Sequence, residues 1–172
     1  IASLGLSFAP GLLVSLESCA KARPTTDQPV YLTEEQFDTI WQMAELILPE
    51  TDSPGAHKAG VAPFIDQLFG RYFEEEEKTS SESGLQSFLS NCMDQYGKSF
   101  VDLDKEKQIE YLSILDKDKN PYSFFKSMKQ IILWAYFTSE IGMKSMNYLP
   151  VPGRYNGCIT IDETEKNLVG NR

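Results

Sequence analysis

Histidine is almost missing from this sequence: among 172 residues there is one, His57. A catalytic zinc or iron site draws on several ligands at set spacings, and one His in a Pro/Gly loop does not make one. A Ser-His-Asp arrangement would depend on the same residue, and no nucleophile elbow accompanies it. His57 therefore reads as an exposed or locally bonded loop residue. No G-x-G-x-x-G follows a strand pattern and no phosphate loop is present, which argues against a dinucleotide site. Basic residues are outnumbered, 16 against 25 acidic, for a net charge of −9. Nucleic acid is disfavoured as a partner for want of a basic face. Glu45 with Glu50 or Asp52 could be imagined as an acid and a base, but acids are too common here for any pair to stand out. The three cysteines, Cys19, Cys92 and Cys158, show no zinc, thioredoxin-like or haem spacing. The residues thus offer no catalytic, cofactor-binding or metal site.

What is present starts with 41% hydrophobic content, enough to build one core at this length. Charge is uneven: residues 71–120 carry 12 acids and 7 bases, whereas residues 121–160 carry 1 acid and 4 bases. This reads as a solvated acidic face beside a buried C-terminal region. From Ile1 to Leu16 the chain, IASLGLSFAPGLLVSL, has no charge. That is short for a transmembrane helix and the right length for the apolar part of an export signal. Its positive leader is expected upstream of Ile1. Leu16-Glu17-Ser18-Cys19 then resembles a bacterial lipoprotein signal with Cys19 as the lipidated residue, although Glu17 is not the usual small neutral residue; a retained membrane anchor is the alternative. The expected organisation is a signal or anchor over 1–19, a tether over 20–32, a helical domain over 33–161 and a tail over 162–172.

The periodicity predicts an all-α domain of about five helices with an extended C-terminal strap. Thr33-Glu34-Glu35-Gln36 has the capping-box form and opens a helix with Phe37, Ile40, Trp41 and Ala44 inward. PETDSPGAHKAGVAP, over 49–63, reads as an ordered loop. A second helix follows through Phe64, Ile65, Leu68, Phe69, Tyr72 and Phe73, ending in Glu74 to Glu77 and a Ser-rich turn. A third is expected over 84–96, with Leu85, Phe88, Leu89 and Met93 inward and Gly97 closing it. A fourth is expected over 104–115, carrying Ile109, Leu112 and Leu115. The last long helix starts near Pro121. Its run Ile131 to Phe137 is apolar all round, so it is either the centre of the bundle or covered by a partner.

Three strings stand out: LPETDSPGAHKAGVAPFID, YFTSEIG and YLPVPGRYNGC. Together they resemble the gluconate 2-dehydrogenase subunit 3 family, the small subunits of bacterial FAD-dependent sugar and sugar-acid dehydrogenases. The likeness runs from about Leu32 to Ile161. It implies a helical accessory subunit without catalytic residues, supporting folding, export and stability of a large GMC-type subunit that carries FAD. It also implies a c-type cytochrome as a possible further partner, a periplasmic or envelope location, membrane association through the N-terminus, and twin-arginine export. Tyr136, Phe137, Thr138, Glu140, Tyr148, Pro150, Pro152, Arg154 and Tyr155 are the candidate interface residues, because aromatic and Arg side chains on Pro-stiffened segments suit interfaces. The same strings could instead stitch the domain to itself. A stand-alone envelope lipoprotein acting as a binding or scaffold module is the alternative function. Export also suggests a disulfide between Cys92 and Cys158, since Cys19 has another use.

Overall fold

The computed structural model describes residues 27–120, 123–146, 148 and 158. The expected signal, the lipidation candidate Cys19, most of the tether and the 162–172 tail lie outside the described residues. Among the described residues there are six α-helices and no strand. They are α1 (Glu34–Ile47), α2 (Val61–Gln67), α3 (Glu75–Tyr96), α4 (Lys105–Asp116), α5 (Phe124–Thr138) and α6 (Glu140–Ser145). The sixth arises because the last long helix breaks: Ser139 leaves helical geometry (φ −70°, ψ 153°) and caps α6 by accepting from the Gly142 amide at 2.9 Å.

Local chemistry sets most boundaries. Thr33 Oγ accepts from the Gln36 amide and the Gln36 side chain accepts from the Thr33 amide, so the predicted capping box forms at α1. α2 runs on into a π turn, Leu68–Tyr72. α3 begins well before the expected residue 84. Its first turn contains Glu75, Glu76 and Glu77, and the Glu74 amide donates to the Glu77 carboxylate at 3.0 Å. The acid run is therefore a helix start, not a helix end, because carboxylates are favourable beside the unpaired amides of an N-terminus. Gly97 stops the helix at φ +68°, a left-handed conformation that suits glycine.

The core joins Phe37, Ile40 and Met43 of α1 to Ile65, Leu85, Phe100 and Ile132, all fully enclosed. α5 is the hub: it packs on α1, α2, α3, α4 and α6. Burying Ile132 alone is worth about 1.5–3 kcal/mol relative to exposure. Met93, expected inward, is on the surface instead, and so are Phe64, Tyr72 and Ile109 of the apolar helical runs. On α3 the inward place next to Met93 is taken by Cys92, and on α4 the inward residues are Gln108, Tyr111 and Leu112. Tyr111 satisfies its hydroxyl by donating to the Phe88 carbonyl at 2.9 Å, and Gln108 donates to the Phe100 carbonyl at 2.8 Å.

The expected Cys92–Cys158 disulfide is not formed; both are free thiols. Cys92 points into the core from α3, where its S–H donates to the Lys98 carbonyl at 3.8 Å and burial pushes its pKa up. Cys158 is exposed. A disulfide needs its sulfurs about 2.05 Å apart, and here one is enclosed while the other faces solvent.

Candidate functional site

Two of the three unusual strings meet. The loop between α1 and α2 is organised by one carboxylate, Glu45, which accepts from the Glu50 amide at 3.2 Å and the His57 amide at 3.0 Å. The His57 ring stacks on Trp41, with centroids 3.9 Å apart, and its Nε2 lies 3.0 Å from the Trp41 carbonyl. A carbonyl can only accept, so Nε2 carries the proton there. Its Nδ1 is 3.5 Å from Glu45. Across the loop, the Tyr136 hydroxyl of YFTSEIG donates to the Pro54 carbonyl at 2.7 Å. His57 and Tyr136 therefore have local structural duties.

The remaining interface candidates divide. Phe137, next to Tyr136, is exposed and meets it edge-on with centroids 5.2 Å apart. Thr138 is exposed, and its hydroxyl donates back to the Trp134 carbonyl at 2.7 Å. Glu140 lies on the exposed first turn of α6 and pairs with Lys144 at 2.5 Å. Tyr148 is exposed, and its amide donates to the Met143 carbonyl at 2.9 Å. Pro150, Pro152, Arg154 and Tyr155 lie outside the described residues.

The sequence reading named Phe137, but not Trp134 or Phe64, of the surface that these elements build. Trp134 of α5 is 52% exposed, and its ring meets that of Phe64, 41% exposed, at 5.4 Å. Phe137 follows Trp134 by three residues, so helical geometry places both on one side of α5. Beside Phe137 opens an apolar groove of about 360 Å³ between Pro49, Pro54, Tyr136 and Met146. Large apolar side chains placed together at a surface mark an interaction site more often than scattered ones do. The all-round apolar run of α5 was the available signal: Ile132 and Ala135 face the core, and Trp134 and Phe137 face out.

Among the described residues no group of three or more His, Cys, Asp or Glu side chains could hold a metal ion. Among them also, no helix is long and apolar enough to cross a membrane. A family model described as gluconate 2-dehydrogenase subunit 3 matches residues 34–153. No curated protein and no solved structure matches.

Proposed function

From the premise that this chain belongs to the gluconate 2-dehydrogenase subunit 3 family, we propose that it is a non-catalytic accessory subunit which docks on a large FAD-dependent sugar or sugar-acid dehydrogenase. In this reading the flavin and the oxidation chemistry reside on the partner, and this chain supports the partner's export, folding and stability in the bacterial envelope. Lipidation of Cys19 or a retained anchor supplies the membrane attachment, and a c-type cytochrome takes the electrons.

The observation that carries the reading is the aromatic face on the hub helix. A core helix that packs on five neighbours still leaves Trp134 at the surface against Phe64, with Phe137 exposed one turn further on. Trp and other large aromatic residues concentrate binding energy at interface centres. Purification from the native membrane tests this. A yellow, FAD-bearing polypeptide should co-elute with the chain, and replacing Phe64, Trp134 and Phe137 together by Ser should cut its recovery at least about tenfold. Recovery of a colourless chain alone would remove the accessory-subunit reading. A complex that survives the triple replacement would move the interface elsewhere.

A further inference from the structure

Asp66 of α2 is only 1% exposed. It receives three successive amides from residues more than thirty positions upstream. Val30 donates to Oδ2 at 2.8 Å, Tyr31 to Oδ1 at 3.1 Å and Leu32 to Oδ1 at 2.8 Å. A buried carboxylate is tolerated only when its oxygens are met by donors, and bonds to a charged acceptor are the stronger class. Beside it the Tyr31 ring lies directly over Gly70, where a Cβ would stand 2.0 Å from a ring carbon. Arg71 then donates from Nε to the Tyr31 hydroxyl at 3.0 Å. Leu32 completes the set by entering the core.

We infer that Asp66, Gly70 and Arg71 form a receptor for the chain's own N-terminal arm, residues 30–32. The carboxylate takes the backbone, the glycine leaves a flat floor for one aromatic ring, and the guanidinium takes that ring's hydroxyl. The ligand it recognises is a short segment with three consecutive free amides and a central Tyr; a proline at any of the three positions would lack its donor. Pro29 stands immediately before the first of them. The receptor fixes residues 30–32 against the domain. Asp66 lies on α2, which also carries Phe64 two residues before it. The arm and the aromatic face are thereby held in a set relation, but the receptor stands whether or not that face docks.

Amide hydrogen exchange on the full chain tests it, with no partner present. In Asp66→Asn, protection of the Val30, Tyr31 and Leu32 amides should fall at least about tenfold while amides of α1 and α5 keep theirs. Gly70→Ala leaves the carboxylate intact but displaces the Tyr31 ring, and should release the same three amides. Ala is otherwise the better residue inside a helix, so a loss there does not come from propensity. Tyr31→Phe, which keeps ring and amides, should change protection by no more than about threefold. The inference is overturned if the three amides stay protected in both substitutions. It is equally overturned if protection falls uniformly through the domain, since Asp66 would then be a general core residue. If Asp66→Asn does not fold, Gly70→Ala decides.

Discussion

Single side chains hold much of this molecule's loop structure, and two of them make sharp predictions. Burial pushes the Tyr111 phenol up to about 12 from an ordinary value near 10. Above pH 10 the unfolded chain gives up this proton first, and the folded chain only nearer 12. The stability contributed by the protonated phenol is thus full below about pH 10 and is lost between about 10 and 12. Tyr111→Phe should flatten that alkaline loss. At neutral pH it should cost about 1 kcal/mol, the bond to the Phe88 carbonyl; urea unfolding at both ends of the range checks both halves. Glu45→Ala removes the acceptor of the Glu50 and His57 amides and should cost about 1–3 kcal/mol. Those two amides should exchange faster than any in α1. Residue roles of this kind were only partly legible. Phe37, Ile40, Trp41 and Leu85 announce themselves by helical spacing. Asp66 does not, because its donors are backbone amides 34 to 36 positions away, and backbone leaves no mark in a sequence. The one available sign was an acid placed between Ile65 and Phe69, both buried.

Helices were more legible than their ends. The Thr33 capping box and the Gly97 stop follow from local chemistry, and both form where the residues predict. The start of α3 does not, because KTSSESG has poor helix formers and suggests a turn. It is helical all the same, and its hydroxyls are satisfied by turning back onto the preceding turn: Thr79 donates to the Glu75 carbonyl at 2.8 Å and Ser83 to the Ser80 carbonyl at 2.9 Å. The break at Ser139 was hidden for a different reason. FTSEIG has no proline, and α5 ends at Ser139, whose side chain takes the Gly142 amide. At that corner a Cβ on Gly142 would stand 1.9 Å from the Tyr136 carbonyl oxygen, which is backbone and cannot swing aside. Gly142→Ala should therefore open the α5–α6 angle and cost about 1–3 kcal/mol. Thermal unfolding checks the cost. Loss of the Tyr136-to-Pro54 bond, read as faster exchange in the 49–60 loop, checks the mechanism.

At the scale of the whole molecule, an acidic chain of net charge −9 carries an apolar face that its own described residues leave in solvent. Charge keeps such molecules apart, and a contiguous apolar patch draws them together. The isolated chain should bind a hydrophobic dye such as ANS. Replacing Phe64, Trp134 and Phe137 by Ser should abolish most of that signal without lowering the melting temperature by more than about 4 °C, because none of the three is enclosed. Fold class was readable from periodicity, since helices dominate and loops are marked by Pro and Gly. The face was not, because spacing alone cannot say which apolar side of α5 looks outward. The hub also sets a timetable. α5 emerges from the ribosome after all four long-range partners that precede it, and about ninety residues separate the end of α1 from the end of α5. At roughly 5–20 residues per second, that is several seconds of synthesis. Throughout that interval Phe37 and Ile40 have no Ile132 to close over them, and Leu85 joins them in waiting once α3 is made. A factor that guards the nascent chain has this window in which to act, and the window shuts when the fifth helix arrives.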